Sequence, residues 1–307
     1  MFAGTPAVAL PALDTLLGSS HQLVGVITRP DAPAGRGRVE VESPVGRRGN
    51  DAGVEVLKPA KPADPAFHQR LRDLAPECIA VVAYGALVPP SALDIPIHGW
   101  VNLHFSLLPA WRGAAPVQHA LLHGDEITGA TTFVLEAGLD TGPVLGVLTE
   151  EIRPRDTAGS LLERLSVAGA GLLLATLDGL ASGEVVAVPQ RPDGVSLAPK
   201  LNPPDARVDW QAPAMRVDRL IRACTPTPGA WTMFRDRRLK LGAVLPSGDQ
   251  SVAAGRLSVV AGPEPFVVVG TGTTAVRLTT VQVEGKAAMA AVDWARGARP
   301  TPDDRFA

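Results

Sequence analysis

Cys78-Ile79-Ala80-Val81-Val82-Ala83 is a continuous apolar run of strand length. Leu23-Val24-Gly25-Val26-Ile27-Thr28 has the same character. Such runs are typical of strands that are covered on both faces, as in parallel sheets. Helix-like segments at residues 7–17 and 65–74 alternate with these runs, and each begins beside a proline, which the first turn of a helix tolerates. This alternation predicts βαβ units and an α/β fold with a mostly parallel, Rossmann-like sheet.

The character of the sequence changes in its last third. Residues 186–206 are rich in Pro, Asp and Asn, which predicts a linker. A helix near residues 212–224 is followed by short alternating segments separated by glycines, which is typical of a small antiparallel β-barrel or sandwich. We therefore predict an α/β domain over residues 1–185, a linker over residues 186–206 and a β-domain over residues 207–307.

Length and composition exclude several classes of protein. The chain has 307 residues, 46% of them hydrophobic and 20% charged, which is enough to build a core. Its longest apolar stretches are shorter than a membrane span, and no signal-peptide pattern opens it. The two cysteines, Cys78 and Cys224, form neither a disulfide framework nor a zinc motif. We expect a monomeric cytoplasmic protein that does not interact with membranes.

The net charge of −2 conceals an uneven distribution. Residues 1–206 contain 15 basic and 22 acidic residues, a net of −7, whereas residues 207–307 contain 14 basic and 9 acidic residues, a net of +5. The total excludes only a uniformly basic protein. A basic β-domain can attract phosphates with salt-sensitive affinity, although a solvated hairpin face also explains the cluster of Arg235, Arg237, Arg238 and Lys240.

A strand-like stretch, Trp100-Val101-Asn102-Leu103-His104-Phe105, combines an amide and an imidazole on one face. Val101, Leu103 and Phe105 alternate with Asn102 and His104, so the two polar side chains point the same way. A polar pair on a buried strand is costly unless it is hydrogen-bonded or lies in a cleft, and such a cleft lies beyond the carboxyl ends of the strands. The pair predicts a functional cleft, a polar face of an edge strand, or a core histidine whose hydrogen bonds are satisfied.

Two loops follow that could complete a site. The first, Ser106-Leu107-Leu108-Pro109 and onward to Pro116, is stiffened by prolines, and its leucines either wall a flat apolar ligand or turn into the core. The second, Gly138-Leu139-Asp140-Thr141-Gly142, has glycines that allow an unusual backbone path around Asp140. An amide, an imidazole and a carboxylate together can stabilise an oxyanion and move a proton, whereas Asp140 alone would be an ordinary turn residue.

A polar insertion at residues 29–38 carries several arginines between prolines and glycines. Its composition predicts a loop, which is either solvated or used for binding. It contains no Walker motif, and the chain has no early Gly-x-Gly-x-x-Gly, which argues against nucleotide and nicotinamide cofactors.

Taken together, these motifs resemble those of the methionyl-tRNA formyltransferases over essentially the whole chain. The matching elements are Phe2-Ala3-Gly4-Thr5-Pro6, Pro33-Ala34-Gly35-Arg36-Gly37, Ala83-Tyr84-Gly85, Asn102-x-His104 with the loop after it, Gly138 to Gly142, and Lys200-Leu201. The Asn/His/Asp set is common to formyltransferases that use 10-formyltetrahydrofolate. The arginine-bearing insertion and the appended β-domain point to the tRNA enzymes.

The resemblance implies a role for each matched residue. Asn102, His104 and Asp140 would be catalytic, with Asn102 and His104 stabilising an oxyanion and Asp140 helping to move the proton of the attacking amine. Ser106, Leu107, Leu108 and Pro109 would contact the folate, and no metal would be required. Arg36 would contact the acceptor arm of initiator methionyl-tRNA, Lys200 would lie near its aminoacylated end, and the oligonucleotide-binding-like barrel would hold the tRNA.

Two other functions remain open from the sequence. One is a folate-dependent formyltransferase that acts on a small amine, such as an amino-sugar nucleotide or a purine precursor. The other is a non-catalytic RNA-binding protein on the same scaffold, which the intact Asn102, His104 and Asp140 set disfavours.

Overall fold

The computed structural model describes residues 1–34, 39–301 and 303–307. These residues form two compact units. The first contains Met1–Pro116, Ile127–Glu151 and Leu162–Leu197, and the second contains Val117–Glu126, Ile152–Leu161 and Ala198–Ala307. Most of the predicted linker, through Leu197, thus belongs to the first unit. The predicted domain boundaries at residues 185 and 207 stay a prediction.

Within the described residues, nine strands precede the long helix at Ala158–Ser182. They are β1 Phe2–Gly4, β2 Val26–Ile27, β3 Ala32–Ala34, β4 Val39–Val41, β5 Val56–Leu57, β6 Ile79–Val82, β7 Trp100–His104, β8 Ile127–Val134 and β9 Val144–Glu151. The α-helices of the whole described chain are α1 Leu10–Leu17, α2 Pro44–Asp51, α3 Pro65–Leu74, α4 Pro90–Leu93, α5 Pro116–His123, α6 Ala158–Ser182, α7 Ala214–Ala223 and α8 Ala291–Ala298.

The first unit is built on a seven-stranded sheet with the order β5-β2-β1-β6-β7-β8-β9. The pairs from β5 to β7 are parallel, and β8 and β9 complete the sheet in antiparallel fashion. The prediction of a mostly parallel, Rossmann-like sheet is therefore confirmed. The strand order reverses at β1, with β2 and β5 on one side of it and β6 and β7 on the other. Open α/β sheets bind ligands at the carboxyl ends of the strands beside such a reversal.

Local sequence signals explain why these helices begin where they do. In α2 the side chain of Ser43 accepts a hydrogen bond from the amide of Gly46, at 2.9 Å, and in α3 Asp64 accepts one from Ala66, also at 2.9 Å. Each cap is followed by a proline at the first helical position, where no N–H is needed. The bounds of α3 agree with the predicted helix at residues 65–74.

The polar insertion differs from its prediction. Ala32–Ala34 pairs with Val39–Val41 as a two-stranded antiparallel ladder, so the prediction of a loop is wrong for Ala32–Ala34. Pro33 is tolerated there because each strand of a two-stranded ladder has a free edge, on which a missing N–H costs little. Arg36, predicted to contact tRNA, lies outside the described residues.

The second unit is rich in antiparallel strands. They are β10 Trp231–Phe234, β11 Arg237–Leu241, β12 Leu245–Pro246, β13 Leu257–Val260, β14 Phe266–Val269, β15 Val276–Leu278, β16 Thr280–Val283 and β17 Met289–Ala290. They form two four-stranded sheets, β10-β11-β16-β17 and β12-β15-β14-β13. The chain passes from one sheet to the other at Thr279, between β15 and β16. Because these consecutive strands join the two sheets, the unit forms the predicted barrel-like β-domain.

An aromatic cluster forms part of the core of this unit. Phe306 is 4% exposed. Between ring centroids it lies 5.4 Å from Trp210, 5.9 Å from Phe234 and 6.0 Å from Trp294. The last residues of the chain are therefore part of the core, which the sequence pattern did not predict.

Helix α6 bears on the membrane prediction. Its 25 residues have the length and mean hydropathy of a membrane span, with 39% of the most apolar window buried. The helix buries Leu161, Leu165 and Leu173 completely. Buried core helices of soluble proteins have the same composition, so the prediction of no membrane interaction stays a prediction.

Candidate active site

Strand β7 holds Asn102 and His104 on one face of the sheet. Asn102 is paired with Phe133 of β8, and His104 is paired with Thr131. Val101 and Leu103, on the other face, are buried, as predicted from their alternation. Asn102 is half-buried, whereas His104 is only 6% exposed and its ring meets that of Phe133 edge-on at 6.3 Å. The strand therefore places an amide and an imidazole side by side at its carboxyl end.

The two nitrogens of the His104 ring have different surroundings. Nε2 lies 2.9 Å from the carbonyl oxygen of Trp111, and because a carbonyl only accepts, Nε2 carries a proton. Nδ1 faces Oδ2 of Asp140 at 3.8 Å, which is too long for a direct hydrogen bond. Burial lowers the pKa of His104, although the Asp140 charge and the hydrogen bond to Trp111 each raise it. The neutral ring, with Nδ1 unprotonated, is therefore the form at neutral pH.

The loop that carries Asp140 needs its glycines. A Cβ at Gly142 would collide with the carbonyl oxygen of Val134, and one at Gly138 would collide with the hydroxyl of Thr141. Asp140 itself has a left-handed φ of +50°, which aspartate tolerates better than most residues. The sequence prediction that the two glycines permit an unusual path for Asp140 agrees with this geometry.

The loop after β7 reaches back to Asp140. The amide of Gly113 donates to Oδ2 of Asp140 at 2.8 Å, and Gly113 has a φ of +125°, a conformation open to glycine. This bond holds the carboxylate beside the imidazole. The Asp140 side chain is 14% exposed and that of His104 is 6% exposed, so the pair is largely buried.

The predicted folate loop is braced from β8. The hydroxyl of Thr131 donates to the carbonyl oxygen of Ser106 at 2.7 Å and accepts from the amide of Leu108 at 3.2 Å. Ser106 is fully buried, and its hydroxyl donates to the carbonyl oxygen of Ala110 at 2.6 Å. Ser106 therefore shapes the loop from beneath, while Leu107, Leu108 and Pro109, which follow β7, are half-buried. A half-buried apolar wall of this kind fits a flat ligand.

Two residues of the predicted linker belong to this site and were missed by the sequence analysis. Gln190 hydrogen-bonds Arg112 and the carbonyl oxygens of Asp140 and Gly142. Ser196 accepts the amide of Trp111 at 2.9 Å through its hydroxyl. Composition concealed them, because a segment rich in proline and aspartate is typical of a linker whether or not it packs on a site.

The remaining predicted site residues are placed as follows. Asn102, Ser106, Leu107, Leu108 and Pro109 lie in the first unit with His104 and Asp140, whereas Lys200 is an exposed residue of the second unit. Over residues 1–34, 39–301 and 303–307 the structure contains no group of three or more His, Cys, Asp or Glu residues arranged to hold a metal ion.

The basic cluster of the second unit is partly neutralised. Arg235 and Asp236 form the turn between β10 and β11 with φ values of +47° and +61°, and Arg235 pairs with Asp304 at 2.8 Å. This pairing lowers the pKa of Asp304 well below its usual range. On β11, Arg238 stacks 4.3 Å from the centroid of the Trp231 ring. Arg235 is therefore paired with a carboxylate, whereas Arg238 keeps its charge over an aromatic ring.

Comparison with known proteins gives a consistent result. Residues 1–177 match the model of the formyl transferase family, and residues 200–299 match that of the formyl transferase C-terminal domain. A methionyl-tRNA formyltransferase of Streptomyces coelicolor is 62% identical over 99% of this chain and 98% of its own length. One of Thermobifida fusca is 64% identical over 100% of this chain and 98% of its own.

A solved structure supports the fold. The N-formyltransferase of Helicobacter canadensis, in complex with folinic acid and dTDP-3-aminofucose, superposes with a TM-score of 0.67 at 14% identity, covering 90% of this chain and 97% of that one. At this identity the likeness concerns the fold alone.

Proposed function

The chain belongs to the methionyl-tRNA formyltransferase family, and from this premise we propose that it transfers a formyl group to the α-amino group of methionyl-tRNA. The observation that carries the proposal is the likeness to these enzymes over nearly the full length of both chains, including the second domain. A formyltransferase for a small amine has support only from the fold, at 14% identity. The acceptor that we propose in particular is the initiator tRNA.

We propose 10-formyltetrahydrofolate as the formyl donor. The half-buried Leu107, Leu108 and Pro109 offer an apolar wall beside Asn102 and His104, which fits a flat heteroaromatic ring with its reactive group toward the strand. The donor supplies a formyl carbon that is bonded to the arylamine nitrogen N10, and this nitrogen is the leaving group. We propose no metal, because the chain's own amide, imidazole and carboxylate provide the required hydrogen bonding and proton transfer.

The reaction needs a neutral amine and a route for its proton. The reference pKa of an α-amine is about 7.7–8.0, and an adjacent ester lowers it, so a neutral fraction exists at cellular pH. We propose that the Asn102 amide donates to the formyl oxygen as negative charge develops there. The unprotonated Nδ1 of His104 is then the acceptor for the amine proton, because Nε2–H is already engaged by Trp111.

Asp140 acts through His104 in this scheme. Once Nδ1 has taken the proton, the imidazolium faces the carboxylate at the 3.8 Å separation of the resting site. The same Nδ1–H can then hydrogen-bond the charged formyl oxygen and deliver its proton to the leaving nitrogen of the donor, which restores the neutral ring. Because Nε2–H is bonded to the Trp111 carbonyl, only Nδ1 faces the reactants, and Nδ1 carries a hydrogen only when the ring is protonated. The imidazole can therefore donate to the oxyanion only in its protonated form.

The second domain supports the tRNA partner. Residues 207–307 carry a net charge of +5, and a basic β-domain binds phosphates with little sequence preference. We retain Arg36 and Lys200 as proposed tRNA contacts on the strength of their motifs. We also propose that the enzyme is located in the cytoplasm and is a monomer.

The test is a formylation assay. The purified chain is incubated with 10-formyltetrahydrofolate and methionyl-tRNA, and formyl-methionine is measured after deacylation by mass spectrometry. We expect formylation of initiator methionyl-tRNA, and slower formylation of the elongator form. Absence of formyl-methionine, with turnover of an amino-sugar nucleotide in a parallel reaction, would refute the proposal.

A further inference from the structure

Gln190 uses all of its side-chain hydrogen-bonding capacity on two loops of the active site. Its Nε2 donates to the carbonyl oxygen of Asp140 at 2.8 Å and to that of Gly142 at 2.9 Å. Its Oε1 accepts from Nε and Nη2 of Arg112, at 3.1 and 2.7 Å. An amide has two N–H donors and one oxygen with two lone pairs, so no capacity is left.

The two loops joined by Gln190 are the ones that hold the His104–Asp140 pair. Arg112, on one side of Gln190, is followed directly by Gly113, whose amide donates to the Asp140 carboxylate at 2.8 Å. The other side is the backbone of Asp140 itself, which has the left-handed φ of +50°. The amide thus ties the donor loop and the acceptor loop of the Gly113–Asp140 hydrogen bond together at a second point.

The segment around Gln190 is itself held in place. Val188 pairs with Val144 through two backbone hydrogen bonds, of 2.7 and 2.8 Å. On the other side, the amide of Arg112 donates to the carbonyl oxygen of Ser196 at 2.9 Å. Gln190 is therefore attached to a braced stretch of backbone, and its side chain can impose a position on loops that have no regular structure of their own.

We propose that Gln190 is a positioning residue for formyl transfer, which holds the Asp140 carboxylate opposite Nδ1 of His104 by fixing the Asp140–Gly142 backbone against the Arg112–Gly113 loop. This inference rests on the proposed function, because it assigns Gln190 a part in the same reaction. Gln190 makes no hydrogen bond to His104 or to the Asp140 carboxylate, so it acts through the geometry of the loop.

The test compares three variants of the full-length chain. Gln190→Leu removes every hydrogen bond of the side chain at similar volume. Gln190→Glu retains an acceptor for Arg112 but cannot donate to the carbonyl oxygens of Asp140 and Gly142. Asp193→Asn, in the same segment, alters an exposed carboxylate that pairs only locally with Arg191 and serves as the matched control.

We expect both Gln190 variants to lower kcat by about 10- to 100-fold, as the loss of residues that orient catalytic groups does, with KM for both substrates unchanged. The control should keep the activity of the unchanged chain. Wild-type activity in Gln190→Glu with a loss in Gln190→Leu would show that only the Arg112 contact matters and would overturn the proposal. Urea unfolding of each variant separates a smaller folded fraction from a lower rate.

A second measurement does not depend on turnover. Asp140 raises the pKa of His104, so a carboxylate released by Gln190→Leu should leave that pKa lower than in the unchanged chain. Titration of the His104 Cε1–H signal by NMR measures this directly. An unchanged His104 titration in Gln190→Leu would refute the positioning role, whichever amine the chain formylates. Failure of the formylation assay alone would refute the proposed function, but it would leave the role of Gln190 in placing Asp140 untouched.

Discussion

Nδ1 of His104 lies 3.8 Å from Oδ2 of Asp140, while Nε2 of the same ring donates to the carbonyl oxygen of Trp111 at 2.9 Å. The resting imidazole is therefore an acceptor on its reactive side, with a carboxylate beside it and no direct hydrogen bond between them. A ring arranged in this way is ready to take a proton and to be stabilised once it has done so. The predictions below follow from this arrangement and from the packing around it.

Replacing the proposed catalytic pair should lower turnover while leaving tRNA affinity intact. Loss of one oxyanion-hole donor typically costs about 10²–10³ in rate, so we expect Asn102→Ala to lower kcat by that factor. His104→Ala should cost at least as much, because it also removes the proton acceptor. Formylation kinetics measure turnover, and a filter-binding assay with methionyl-tRNA measures affinity. His21→Ala is the control, because His21 pairs with Asp178 at the surface. Full activity of His104→Ala would contradict the assignment.

The free energy of unfolding should depend on pH through His104. Burial lowers its folded-state pKa below the ordinary value of about 6.5, so in acid the unfolded chain binds a proton that the folded chain does not. Stability from this residue is present above about pH 6.5 and is lost as the pH falls from there toward the folded-state pKa. Burial lowers the pKa of His119 as well, which gives a slope of the same sign.

The measurement for this dependence is urea unfolding between pH 8 and pH 5 for the unchanged chain and for His104→Asn. The variant should lose less stability over that range, because it lacks one titrating group. His119→Asn, compared in the same way, separates the contribution of the second histidine. Equal slopes for the unchanged chain and His104→Asn would mean that His104 titrates normally.

Arg36, between the described arms β3 and β4, is predicted to contact the acceptor arm of tRNA. We expect Arg36→Ala to lower kcat/KM for initiator methionyl-tRNA by about 5- to 150-fold, which corresponds to the 1–3 kcal/mol of a good arginine–base contact. Folate binding, measured by fluorescence quenching, should not change. Arg191→Ala, which removes an exposed arginine elsewhere, is the control. Parallel losses of tRNA use and folate binding would refute the contact.

The end of the chain should be essential to the stability of the second unit. Phe306 is 4% exposed among three aromatic rings, and truncation of a buried phenylalanine to alanine costs about 3–5 kcal/mol. Urea unfolding followed by tryptophan fluorescence should show this loss for Phe306→Ala. Val259→Ala, at a residue that is 46% exposed, should stay within about 0.5 kcal/mol of the unchanged chain. A similar small effect for Phe306→Ala would show that the cluster is not a core.

Much of this molecule follows from short-range patterns. The apolar run of β6, the cap and proline of α3 and the alternation around Asn102 and His104 each depend on residues close in sequence, so the sequence alone predicts a mostly parallel sheet with an amide and an imidazole on one face. The glycines around Asp140 also indicate an unusual turn, because steric exclusion of a Cβ is a local property.

The protonation of His104 and the position of Asp140 were decided by tertiary structure. The Trp111 carbonyl that fixes the tautomer, the Gly113 amide that holds the carboxylate and the Gln190 side chain that joins their loops come from three segments without regular structure. Gln190 is 50 residues from Asp140 in the chain, and composition around it is typical of a linker. No local pattern specifies such hydrogen bonds, because they form only when the folded sheet brings these loops together.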